Sequence, residues 1–335
     1  MFTFEMVSFF ALVILILLFI KKDGQRSPFS FSDLNSLRGV FALLILIFHI
    51  SKESDPFYPL FHYFSIVVVG AFFFISGFGL MKGYMKDDCY YDSYPKKRFY
   101  KVVLPYLIMT LVYWLYYAST GEHYSLKEVL HRIITYSPIV MYSWFIISII
   151  LHYFYFYLLM RICKKNRKLF TGIFVGLLLF YILMVLFKMH PDTNYPDPLF
   201  CLGIIYSYCE NYILNYIKKN ETLFLRISFI LILFGFLLVP FLRNGELASF
   251  EKKIIFVLIC FVFTYLFSFK KSILLFFGHI SLEIYMCQGL SKLMIRRFFG
   301  GPLFIQDFLI FILCFVLSSL FHNIFRFLQT RIGHV

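Results

Sequence analysis

Residues 37–50 read LRGVFALLILIFHI. Such an unbroken apolar run reads as a helix inside a membrane, yet Arg38 and His49 interrupt it. A charged or titratable side chain in hydrocarbon costs about 2.5–3.5 kcal/mol or more, so it marks a functional site by default. The spacing sharpens the reading. Eleven residues at about 100° each return to one helix face, and at 1.5 Å per residue the two side chains stand roughly 16 Å apart, about half the bilayer core. One face therefore carries a permanent cation near one membrane surface and an imidazole deep in the span. That suits a substrate that enters anionic end first and reacts further in.

The rest of the chain agrees. Of 335 residues, 61% are hydrophobic and 15% charged, whereas a soluble domain has about 45–50% apolar and 25% charged residues. The expected fold is an all-α, polytopic integral membrane bundle of about eleven transmembrane helices. These lie near 4–20, 34–51, 62–82, 99–118, 137–161, 169–188, 198–217, 223–242, 253–268, 272–291 and 303–322. Residues 4–20 lack a basic n-region and read as a retained span rather than a cleaved leader. Residues 1–30 thus form an additional N-terminal helix with a cytoplasmic linker, and 31–335 form the main membrane domain. Loops are short, and no internal repeat is evident.

The formal charge of +14 reflects basic loops on one side of a bilayer rather than nucleic-acid binding. With the N-terminus outside, the inside segments hold about twice as many Lys and Arg as the outside ones. This orientation, N-out and C-in, places Arg38 near the cytoplasm and His49 toward the outer half. The stretch Lys292–Arg297 is the exception, a basic segment on the outer side. The seven cysteines form no CxxC pair, so neither a disulfide framework nor a metal site is expected.

Five segments together resemble the acyltransferase-3 family of membrane acyltransferases. Asp33-Leu-Asn-Ser-Leu-Arg38-Gly39, running on to His49, is similar to its Arg-x10-His helix. Phe72-Phe-Phe-Ile-Ser76-Gly77-Phe78 resembles its FFxxSGF element, and Lys97-Arg98-Phe-Tyr-Lys101-Val-Val-Leu-Pro105-Tyr106 its basic segment ending in Pro-Tyr. Lys101 stands where the family often has Arg. Gly278-His-Ile-Ser281-Leu-Glu283-Ile-Tyr285 is similar to its late GxxSxxIY helix, and Ser143-Trp144-Phe145 to a Trp-Phe helix start. Many relatives carry a histidine after the IY element, where this chain has Gln288.

The resemblance implies transfer of an acyl group, commonly acetyl, from acyl-CoA to a hydroxyl of a cell-surface polysaccharide or its lipid-linked precursor. Acetyl-CoA is then a donor substrate, and no permanently bound cofactor is implied. The site residues follow from the matched positions. Arg38 would position the donor, with Arg98, Lys101 and Ser76 completing the CoA site, because guanidinium pairs with phosphate in bidentate fashion. His49 would act as general base or carry the acyl group as a transient acyl-histidine. Glu283 and Trp144 are candidates for acceptor binding. The setting implied is a bacterial cytoplasmic membrane; oligomeric state is left open.

Plainer roles stand beside these. Arg38 could snorkel to the surface, and Ser76-Gly77 could be a packing notch between helices. Glu210 reads as structural, and His152 and His279 as packing or interfacial residues. The alternative functions are a polysaccharide polymerase, which the lack of a long outer loop disfavours, and a transporter, which the lack of a repeat disfavours.

Overall fold

The computed structural model describes residues 20–22, 28–53, 55, 58–87, 89–135, 137–164, 166–186, 197–238, 246–269 and 273–332. The expected span at 4–20 lies outside them, apart from Ile20. The order is β1 (Ile20–Lys22), α1 (Phe31–Ile50), α2 (Tyr58–Lys86), α3 (Tyr90–Arg98), a π-helical turn (Phe99–Val103), α4 (Leu104–Ser119), α5 (Leu126–Ile134), α6 (Trp144–Cys163), α7 (Arg167–Leu186), α8 (Leu199–Lys219), α9 (Glu221–Leu238), α10 (Glu246–Leu266), β2 (Phe267–Phe269), α11 (Ile273–His279), α12 (Ser281–Phe298) and α13 (Leu303–Ile332). Apart from the antiparallel pairing of β1 with β2, the regular structure among the described residues is all helical. No strand was expected there; two short non-helical segments satisfy each other's backbone groups.

Among the described residues six helical units, not the eleven expected, are long and apolar enough to cross a membrane: α1, α2, the α3–α4 unit, α6, α7 and α13. The α11–α12 pair would make a seventh, but it bends by 76° at its break. The single span expected over 272–291 is therefore two helices. Over 198–217, α8 forms but is crowded with Tyr206, Ser207, Tyr208, Glu210, Asn211 and Tyr212, which lowers its apolarity. The expected start at 137 moves to Trp144, leaving 137–143 as a turn. The presumed loop 119–136 contains α5, closed by a capping box between Ser125 and Glu128.

α1 lies at the centre. Its apolar window is 78% buried, against 28% for α13 and 17% for α7, and it packs against α2, α11, α12 and α13. The outer helices instead present apolar stripes to their surroundings, such as Leu107, Leu111 and Leu115 on α4. Two small-residue contacts draw the interior helices together. A Cβ on Gly278 of α11 would run into the Asn35 backbone of α1, and Cβ atoms on Gly77 and Gly203 would strike the Phe200 and Phe74 carbonyls across the α2–α8 interface. Gly77 is thus a packing notch. Glu210 is likewise structural: it ion-pairs with Lys82 across the same two helices.

Candidate active site

Local sequence signals set the ends of α1 and so the places of its two polar residues. Ser30 caps its start, accepting from the Asp33 amide at 3.3 Å. Ser51 ends it, its amide and hydroxyl both donating to the Ile47 carbonyl at 2.9 and 2.7 Å. Arg38 then sits two turns inside one end, and His49 beside the other. Both are half-buried.

At the first end, Arg38 Nη1 donates to Asn35 Oδ1 at 3.2 Å. Arg38 lies close enough to Arg98 for the two to repel, with Tyr153 beside both. Arg98 Nη2 donates to Tyr90 Oη at 3.2 Å, and its guanidinium lies 5.5 and 5.2 Å from the Tyr94 and Tyr153 ring centres. Its Nε is buried without a partner. Neither arginine is salt-bridged to a carboxylate among the described residues. Two like charges are thus surrounded by amide, phenol and aromatic faces rather than by carboxylates.

The backbone helps to build it. Pro105 has no amide for the Lys101 carbonyl and its ring crowds that oxygen, and the helix widens into the π turn over Phe99–Val103. Lys101 lies in this turn, exposed, with its charge felt by Arg98 and Lys97. Three of the expected donor residues, Arg38, Arg98 and Lys101, therefore share one neighbourhood. Ser76 is half-buried on α2 next to the Gly77 notch, and the Arg38 side chain bonds Asn35 rather than Ser76.

At the second end, the His49 imidazole stacks on the Tyr142 ring, centroids 3.9 Å apart and planes 9° off parallel. Tyr142 holds a left-handed φ of 65°, a conformation that costs a non-glycine residue of order 1–3 kcal/mol and concentrates at functional sites. Tyr285 of the IY element secures it, its hydroxyl donating to the Tyr142 carbonyl at 2.8 Å. Burial pushes the Tyr142 phenol above its ordinary pKa, so it stays protonated. Lys292 Nζ donates to the His49 carbonyl at 2.6 Å and, at 3.4 Å, to Tyr142 Oη. Gln288 stands beside the imidazole. Yet both its amide atoms and His49 Nδ1 are buried without hydrogen bonds.

Sequence reading missed Tyr142 and Lys292. It noted Gln288 only as a departure, and Lys292 only as a charge on the unexpected side. The acceptor candidates make other contacts. Glu283 is committed to His322 of α13, Oε1 to Nδ1 at 3.0 Å, with Oε2 unpartnered. Trp144 starts α6 two residues after Tyr142, and its ring meets Phe145 edge-on. His152 is buried, Nδ1 2.8 Å from the Ser148 carbonyl and its ring between Phe73 and Phe200, which is a packing role.

The centre of the molecule is thus one helix, with Arg38 meeting Arg98 of α3 at one end, unpaired with any carboxylate among the described residues, and an imidazole whose Nδ1 is unpartnered at the other. A family model described as an acyltransferase domain matches residues 31–323, a range that begins at the first residue of α1. No curated protein and no solved structure matches the chain. It is an integral membrane protein, and it belongs to the acyltransferase-3 family of acyltransferases.

Proposed function

We propose that the protein transfers an acetyl group from acetyl-CoA to a hydroxyl of a cell-surface polysaccharide or its lipid-linked precursor. The observation that carries this reading is the polarity of α1, with anion-binding Arg38 near one end and His49 at the other. The nucleotide phosphates of the donor pair with Arg38 and Arg98, and Lys101 adds charge at the mouth. Ser76 borders the donor path. The narrow pantetheine arm runs along α1 across the roughly 16 Å of helix rise between the two residues, bringing the thioester to His49.

His49 takes the proton of the acceptor hydroxyl as its oxygen attacks the thioester carbonyl. The C–O bond forms, the C–S bond breaks, and the proton passes to the departing thiolate. An acyl-imidazole route gives the same products in two steps. Gln288, beside the ring with its amide unpartnered, would orient it by closing onto Nδ1 when substrate binds, leaving Nε2 for the proton. The Arg38 end faces the cytoplasm, where acetyl-CoA is made, and the His49 end faces the outer half of a bacterial cytoplasmic membrane. Glu283 and Trp144 contribute to the acceptor side only through the helices they hold.

The test is the O-acetyl content of surface glycan by NMR in a deletion strain. Wild type should restore the ester signals, and His49→Ala at equal expression should not. Full restoration by His49→Ala would remove His49 from the chemistry, and unchanged esters on deletion would remove the glycan acceptor.

A further inference from the structure

The charge rule leaves one anomaly, the basic residues 292–297 on the side opposite the other basic loops. The structure assigns each a partner. Arg297 Nη2 donates to the Thr120 carbonyl at 3.3 Å. Arg296 pairs with Asp307 and donates to Gln306 Oε1 at 2.8 Å. Lys292, like Arg297, has no carboxylate partner among the described residues, but unlike Arg297 it lies beside the imidazole: its acceptors are the His49 carbonyl and the Tyr142 hydroxyl, both neutral. Capping the last turn of α1 suits a cation, but it uses one of three ammonium donors, and Tyr142 takes a second at long range.

The surroundings offset the charge only in part: Asp307 attracts Lys292, while Arg296 and Lys52 repel it. Lys52, half-buried just past the end of α1, lies near enough to Lys292 and Asp307 to act on both. Asp55, the other carboxylate of the cluster, accepts the Lys52 backbone amide at 2.7 Å. Asp307 is held by Arg296. Three cations, Lys52, Lys292 and Arg296, therefore face two carboxylates, both already engaged. The excess sits beside the imidazole, at the end of α1 away from the guanidinium pair. A half-buried ammonium whose nearby carboxylate is paired to another cation is costly in a membrane protein, and such a charge marks a functional site by default.

We propose that Lys292, supported by Lys52, is an anion subsite of the acceptor, so that the acylated hydroxyl lies on or next to a sugar bearing a carboxylate or phosphate. This rests on the acyltransferase reading above and narrows its acceptor to an anionic glycan. The ammonium would engage the anion while its bond to the His49 carbonyl fixes that anion's distance from the imidazole, placing one hydroxyl at the base. Lys292 thus acts as a specificity residue.

The experiment uses the full chain in lipid nanodiscs, labelled acetyl-CoA, and surface glycan isolated from the deletion strain. The glycan is offered untreated, carboxyl-reduced, or dephosphorylated with hydrogen fluoride. Acetyl incorporation should fall roughly tenfold to a hundredfold after one of the two treatments, which names the source of the charge, as expected for loss of a charge-assisted contact. Lys292→Met should accept untreated and treated glycans alike, while Lys292→Arg should keep the preference. A general fall in rate with the preference intact would mean that Lys292 only supports α1, and would overturn the proposal. Equal use of all three glycans by wild type would also overturn it. Both results would leave acetyl transfer itself standing. Absence of any acetyl transfer or acetyl-CoA hydrolysis would instead defeat the acyltransferase site and this subsite together.

Discussion

Gly278→Ala should damage donor binding although residue 278 touches no substrate. The added Cβ would meet the Asn35 carbonyl oxygen, and its carbon at 2.6 Å and Cα at 3.2 Å. Carbon atoms in contact prefer about 3.5–4.0 Å, so α1 must withdraw from α11 by roughly 1 Å. The obstacle is backbone on both sides, so no rotamer change relieves it, and overpacking of this kind costs about 1–3 kcal/mol. Asn35 holds Arg38, so the guanidinium moves with it. A misplacement of about 1 Å can cost a hundredfold in rate. We expect the variant to melt several degrees lower in nanodiscs and to show a raised acetyl-CoA KM. The control is Gly79→Ala on α2, where nothing lies within 4 Å of the added carbon. It should be neutral, or gain up to about 1 kcal/mol of helix propensity. A Gly278→Ala protein with wild-type Tm and KM would refute the reasoning that the α1–α11 contact sets the donor end.

Gly203→Ala makes a similar clash against Phe74 at the α2–α8 interface. It should lower Tm without selectively raising acetyl-CoA KM, as melting and steady-state kinetics would report. Tyr285→Phe loses the bond that secures Tyr142, worth about 0.5–1.5 kcal/mol. It should lower kcat roughly threefold to tenfold and leave donor KM unchanged. Lys82→Met strands buried Glu210 and should cost about 1–3 kcal/mol in stability. The double variant with Glu210→Gln should recover most of it in a thermal double-mutant cycle.

Much of this was legible because membrane burial makes polar residues conspicuous. Arg38 and His49 stood out by composition, and α1 needed only the 3.6-residue period to put them on one face. Most helix positions among the described residues followed from apolar run length, though not the number of spans, and the Gly77 notch from the small-residue pattern. What stayed hidden depends on contacts between distant segments. Lys292 lies 243 residues from His49, and no local pattern joins them; its only trace was a charge on the wrong side. The left-handed Tyr142 carries no Gly or Asn signal and is held by Tyr285 from another helix. The break at 279–281 has no proline. The π turn was not anticipated either, although Pro105 carried a usable signal, since a proline four residues after Lys101 removes that carbonyl's partner.

The claim that one helix divides donor binding from chemistry is tested most directly by steady-state kinetics of purified Arg38→Ala and His49→Ala with labelled acetyl-CoA. Arg38→Ala should raise donor KM while retaining measurable turnover. His49→Ala should bind acetyl-CoA as wild type does and transfer no acetyl group. Wild-type turnover by His49→Ala, or an unchanged donor KM in Arg38→Ala, would contradict it.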